Sequence, residues 1–173
     1  MRRGALTGVL AVVLAALVAW SVAIGVSGHR EVPGWLVPAK SPSAQESEAL
    51  AYPDVQSAAR AFTSAFLKVD YKDMDPITDK VLSLSAEPLR SQYKTAQVQI
   101  KALAQENQSV SSGKVRSVGV GELKGSDAVA FVAADSTLTN KSTTSPQSVR
   151  LRLKLTLVRK GDTWKVSEAV FFP

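Results

Sequence analysis

The spacing of apolar residues changes once along the chain, from a helical period to a strand alternation. Within residues 52–106, apolar side chains recur every three or four positions, which indicates helices with one buried face. Pro53, Pro76 and Pro88 mark the predicted first turns, because the first turn of a helix tolerates the missing amide hydrogen of proline. This part of the chain therefore predicts three helices, the second of them at 76–84.

From Val115 onward, apolar and polar residues alternate as they do in strands with one buried face. The predicted strands lie at 115–123, 128–139, 148–159 and 163–172. The third is the clearest, because its leucines alternate with Arg150, Arg152 and Lys154. A tight connection through Gly161 predicts that the last two strands form a hairpin. Helices followed by consecutive strands predict an α+β fold, with about three helices packed on a curved four-stranded antiparallel sheet.

The amino-terminal region is apolar without any alternation, and Gly4 to Gly28 contains no charged residue. As a helix, residues 5–26 would extend for about 33 Å, which is enough to cross the hydrocarbon core of a bilayer. A cleaved signal peptide is the alternative, but its apolar region is usually only about 7–15 residues long. Two arginines precede the span, which predicts a cytoplasmic amino terminus.

These patterns divide the chain into four predicted parts. They are a short cytoplasmic start at 1–4, a transmembrane helix at 5–26, a proline-rich spacer at 27–50 and an extracytoplasmic domain at 51–173. We therefore expect a single-pass protein of the plasma membrane, with its carboxy-terminal domain outside the cytoplasm.

Composition removes several kinds of chemistry from consideration. The chain has no cysteine and a single histidine, His29, so disulfides, thiolate metal sites and multi-histidine metal sites lack their residues within this sequence, and any imidazole chemistry would depend on His29 alone. We expect no enzymatic activity, no cofactor and no metal. The net charge is +6 at pH 7, and residues 114–168 carry ten basic and five acidic side chains. An extracytoplasmic location makes nucleic acid an unsuitable partner for this basic region.

Three basic residues form the first candidate site. Arg150, Arg152 and Lys154 are predicted to project from one face of the third strand. Such a row suits an acidic patch on a partner subunit or anionic lipid headgroups. The alternative interpretation is that the charges keep the domain soluble and prevent its sheet from stacking on another sheet.

Aromatic residues form a second candidate site, an apolar pocket between the helices and the sheet. A lipid or a sterol would suit such a pocket, although in a small domain the same side chains can simply form the core. The pocket candidates are Phe62, Phe66, Tyr93, Phe131, Trp164 and Phe171. A third group, Asp70, Asp73 and Asp75, contains possible calcium ligands, but helix capping and solvation explain these residues better.

The closing segment 157–166, with Gly161 and Trp164 before Val166, resembles the end of nuclear-transport-factor-2-like, or cystatin-like, domains. With the single span, the proline-rich spacer and the helix 58–62 leading to Asp70, the whole chain resembles an actinobacterial Mce-associated membrane protein. The Phe171-Phe172-Pro173 ending departs from the more polar finish expected there.

The resemblance implies an accessory or scaffold protein of a mammalian-cell-entry (Mce) lipid transport complex, which stabilises or assembles that complex through protein–protein contacts. Self-association is a further possibility. Two alternatives keep the same topology. The first is an assembly subunit of a type IV secretion or conjugation channel, and the second is a tethered binder or isomerase of an apolar small molecule.

Overall fold

The computed structural model describes residues 42–143 and 145–172, and the compact unit that contains the sheet begins at Glu46. In chain order, the elements of the described residues are α1 (Pro42–Phe66), β1 (Val69–Asp70), α2 (Met74–Leu84), α3 (Leu89–Asn107), β2 (Val110–Lys124), β3 (Asp127–Thr139), β4 (Gln147–Lys160) and β5 (Thr163–Phe172). The predicted cytoplasmic start and transmembrane helix lie outside the described residues. Within the described part of the chain, no helix has both the length and the apolar character of a membrane span.

The sheet has five strands in the order β1-β2-β3-β4-β5, and every neighbouring pair is antiparallel. The sequence predicts four of these strands and the hairpin between β4 and β5, in which Gly161 adopts a φ of 60°. The additional strand is β1, which pairs only with Val110 and Ser111. Two residues are too few to show an alternation, so this strand leaves no signal in the sequence.

The first helix begins earlier than its sequence pattern predicts. It starts at Pro42, so Pro53 lies inside the helix and the last part of the predicted spacer at 27–50 is helical. An internal proline removes the hydrogen bond to the carbonyl four residues earlier. That carbonyl belongs to Ala49, and both residues are exposed, so water can satisfy it. The second helix also starts two residues before Pro76, at Met74.

The core lies between the helices and one face of the sheet, which we call the inner face. On this face Ala130 pairs with Leu155, and Val132 pairs with Leu153. All of these side chains are at most 1% exposed. The helices contribute a second set of buried residues: Val55, Ala59, Phe62, Val81, Leu89 and Tyr93. The opposite, outer face of the sheet carries the odd-numbered residues of β3 and the even-numbered residues of β4.

Candidate functional site

The predicted basic row lies on the outer face of β4. Arg150, Arg152 and Lys154 are all exposed, as the alternation of the strand predicts. Their cross-strand neighbours differ along the row. Arg150 is opposite Asp135, whereas Arg152 lies between Ala133 and Phe172. In the same way, Lys154 lies between Phe131 of β3 and Val170 of β5.

The nearby carboxylates of the outer face already have partners. Asp135 pairs with Arg116, with a distance of 2.6 Å between Arg116 Nε and Asp135 Oδ2. Glu168 accepts a hydrogen bond of 3.0 Å from the Thr156 hydroxyl. Within residues 42–143 and 145–172, none of the three basic side chains of the row forms an ion pair. The row therefore presents an excess of positive charge to solvent.

An exposed apolar strip accompanies the basic row. Phe131, Val170 and Phe172 are 45%, 43% and 39% exposed. The rings of Phe131 and Phe172 meet edge to face, with 6.2 Å between their centroids. Since Phe131 is opposite Lys154 and Phe172 is opposite Arg152, this contact crosses β4 between the two basic residues.

The position of Phe131 corrects the predicted apolar pocket. Phe131 lies on the outer face, so it cannot line a pocket between the helices and the inner face. The apolar run 128–132 hides this orientation, but Asp127 and Asp135 lie four residues before and after Phe131, on the same face of a strand, and were the signal that could have revealed it. Val170 and Phe172, which the sequence analysis did not single out, complete the strip on the same face.

The other five predicted pocket residues lie on the inner side of the sheet, four of them in one aromatic cluster. The ring of Phe66 is 5.3 Å from Phe62, 6.1 Å from Tyr93 and 6.3 Å from Phe171, measured between centroids. Phe62 is fully buried, and Tyr93 and Trp164 are each 5% exposed. Rings packed at these distances are typical of a filled core.

Tyr93 has the single resolved pKa shift among the described titratable groups. Burial of its hydroxyl raises the pKa of Tyr93 to about 12, and a hydrogen bond with the Thr78 side chain partly offsets that effect. A phenol with so high a pKa stays neutral at physiological pH. It therefore gives the cluster a polar atom without a charge.

The acidic residues near α2 have separate local contacts. Asp70 Oδ1 accepts a hydrogen bond of 3.1 Å from the Lys72 amide, and Asp75 contacts Lys101. Asp73 occupies the N-cap position of α2 but makes no side-chain capping bond. Within the described residues, no three potential ligands are grouped closely enough to hold a metal ion. A depression of about 300 Å³ beside Asp70 and Asp73 contains none of the predicted pocket residues.

Solved structures share this fold at low sequence identity. An IcmL-like type IV secretion system protein from Legionella pneumophila matches 70% of this chain and 92% of its own, with 13% identity and a TM-score of 0.55. CagV, a VirB8 homolog of the type IV secretion system of Helicobacter pylori, matches 69% and 96%, with 9% identity and a TM-score of 0.56. The predicted nuclear-transport-factor-2-like fold is thus confirmed.

The same fold also occurs outside secretion systems. A protein named as an aromatic ring hydroxylase, from Novosphingobium aromaticivorans, matches 74% of this chain and 92% of its own, with 15% identity and a TM-score of 0.54. These identities establish the fold alone, because one fold can carry unrelated functions.

Sequence comparison extends the likeness into the amino-terminal region. No curated protein sequence matches the chain. A family model does match it, from residue 9 to residue 173, and therefore covers most of the predicted span and all of the spacer and the domain. The chain belongs to the family described as "Uncharacterized protein Rv1363c/MT1408-like".

Proposed function

We propose that this protein is a non-enzymatic assembly subunit of a multi-protein complex in the cell envelope. The observation that carries the proposal is the outer face of the sheet, where Arg150, Arg152 and Lys154 form no ion pair within the described residues. Basic side chains on an open face accelerate and orient association with an acidic partner. The shared fold of the IcmL-like protein and CagV supports an assembly role.

The proposal includes a membrane anchor. Residues 5–26 are long and apolar enough for one span, and two arginines precede them. This arrangement would keep the amino terminus in the cytoplasm and the domain outside it. A tethered domain searches a thin layer above the membrane, where the other subunits of an envelope complex are concentrated.

The kind of complex is the finer part of the proposal. The structural neighbours favour a subunit like those of type IV secretion or conjugation channels, since both the IcmL-like protein and CagV are named as components of such systems. The second candidate is an accessory protein of an Mce lipid transporter, which the sequence resemblance supports. Both candidates require contacts with other subunits, and they differ in which subunits are contacted.

A tethered small-molecule binder has less support. It needs space between the helices and the inner face, where Phe66 contacts three other aromatic rings. One of these three rings, that of Phe62, is fully buried. A ligand would have to displace these rings, which pack at the density of a core.

Gentle detergent extraction of the tagged full chain from its native membranes tests the proposal. We expect specific envelope subunits to co-purify, and their identity separates a secretion channel from an Mce transporter. A tagged 1–41 segment is the control for partners that bind the predicted span and spacer alone. Recovery of the full chain without any envelope subunit would contradict an assembly role.

A further inference from the structure

The outer face combines two features that a solubilising surface does not need together. Arg152 and Lys154 are two positions apart on β4, which separates them by about 7 Å along the strand. The contact between Phe131 and Phe172 crosses the strand between them. A charged row alone would keep the sheet soluble, whereas exposed aromatic rings within that row favour association of this face with another surface.

The shape of the strip favours a protein partner over a lipid bilayer. A Cβ added at Gly121 would lie 2.7 Å from the ring of Phe131, so this ring lies against the backbone of β2. Phe131 packs against β2 on one side and against the ring of Phe172 on the other, and these contacts hold it close to the sheet. Membrane-inserting aromatics need to reach beyond the surface into the boundary between headgroups and acyl chains.

The charge of the strip determines the chemistry of that partner. Arg116 neutralises the carboxylate of Asp135, whereas Glu168 accepts a hydrogen bond from the neutral Thr156 hydroxyl and keeps its charge. Of these two carboxylates, only Glu168 is left to offset the three positive charges of the basic row. An acidic segment would supply the missing charge. Its apolar side chains would cover the aromatic rings and exclude water from the charged contacts, which strengthens them.

From these observations we infer that the outer face binds an acidic segment of a partner protein, in which carboxylates flank at least one large apolar side chain. Arg152 and Lys154 contact the carboxylates, and Phe131, Phe172 and Val170 receive the apolar side chain. This inference rests on the proposed function and specifies the chemistry of the partner's contact.

Peptide binding to the full chain in phosphatidylcholine nanodiscs tests the inference. The first probe is a labelled peptide of about 15 residues with glutamates around central leucine and phenylalanine residues. A second peptide replaces its apolar residues with serine, and a third replaces its glutamates with lysine. Vesicles of phosphatidylcholine with about 30% phosphatidylglycerol test the lipid alternative by co-flotation.

Two variants of the outer face and two matched controls complete the design. We expect R152E/K154E to weaken binding of the first peptide about tenfold, and Phe172→Ser to weaken it about fivefold. The charge control is K80E/K94E on the helices, and the apolar control is Val98→Ser, a position that is 71% exposed on α3. Both controls should bind within about twofold of the unaltered chain.

Three results would overturn the inference. The first is equal affinity of the unaltered chain and R152E/K154E for the acidic peptide, with unchanged thermal unfolding of both. The second is equal binding of the serine peptide, which would remove the aromatic strip from the contact. The third is binding to anionic vesicles, lost in R152E/K154E, with no peptide binding, which would make the face a lipid surface.

Co-purification with the same variants separates this inference from the proposed function. If R152E/K154E retains every subunit that the unaltered chain recovers, the assembly role stands and the docking face is wrong. If the unaltered chain recovers no envelope subunit, the assembly role is wrong, while the peptide measurements still decide whether the face binds acidic segments.

Discussion

The two sides of the sheet have aromatic residues in opposite environments. On the inner side, the buried Phe62 stacks on the half-buried Phe66, with 5.3 Å between their ring centroids. On the outer side, Phe131 and Phe172 touch at 6.2 Å while remaining partly exposed. Ring contact by itself therefore does not identify a core residue. The exposure of the pair and the charge beside it distinguish a candidate binding surface from the interior.

The inner positions of β3 explain why its largest residue points outward. Ala128, Ala130 and Ala134 face the helices and are at most 2% exposed. Small side chains at these positions leave room for bulky residues from the helices, such as Phe62. A phenylalanine placed among them would overpack the interior, so Phe131 is accommodated on the open face.

The largest expected effect is the difference in stability between alanine substitutions at Phe62 and at Phe131. We expect Phe62→Ala to lower the free energy of unfolding by about 3–5 kcal/mol, because it leaves a cavity in the core. Phe131→Ala should lower it by only about 1 kcal/mol, since the ring is already partly hydrated. Urea denaturation of the full chain measures both. Equal losses would contradict the placement of Phe131 on the outer face.

The second effect is a pH dependence of the free energy of unfolding, which arises from Tyr93 on the inner side of the sheet. The pKa of Tyr93 rises from 10.0 to about 12 on burial, so the neutral phenol stabilises the folded state. This contribution is complete below pH 10 and is lost as the pH rises through 12. We expect a total loss of about 2–3 kcal/mol in the free energy of unfolding.

The Tyr93→Phe variant is the control for this pH dependence. Urea denaturation between pH 9 and pH 11 should show a smaller decline for the variant than for the unaltered chain. Parallel declines would mean that Tyr93 is hydrated in the folded protein and that other groups dominate the alkaline unfolding.

Two glycines of β2 provide a matched test of packing on the two sides. A Cβ at Gly113 would lie 2.5 Å from the Cβ of Leu67, whereas a Cβ at Gly119 meets nothing within 4 Å. We expect Gly113→Ala to lower the free energy of unfolding by about 1–3 kcal/mol. Gly119→Ala should change it by less than about 1 kcal/mol, in the stabilising direction. Thermal unfolding compares them, and a reversed order would contradict the orientation of the strand.

The smallest effect concerns the outer ion pair between Arg116 and Asp135. Their side chains are 56% and 30% exposed, so water screens the attraction. Asp135→Asn should lower the free energy of unfolding by less than about 1 kcal/mol, and this difference should shrink in about 1 M salt. A larger, salt-independent loss would show that the outer face is less hydrated than its exposure indicates.

Much of the fold and part of the candidate site were predictable from sequence. The third predicted strand alternates clearly, because leucines at inner positions and basic residues at outer positions satisfy a period of two. That alternation correctly placed Arg150, Arg152 and Lys154 on one exposed face. Their binding role stays a prediction, because exposure on one face does not identify a partner. The membrane span at 5–26 also stays a prediction, because it lies outside the described residues.

The sequence by itself determined where charge and chain reversal occur, since hydration of charged groups and the conformational freedom of Gly161 are local properties. Tertiary structure alone decided the short pairing of β1, where Val69 packs against the buried cluster of Met74, Ile77 and Ala104. It also decided that Phe131 stays partly exposed, because the flanking Asp127 and Asp135 indicate which face it shares but not whether another element covers that face. There, the space left by the helices determines which side chains are buried.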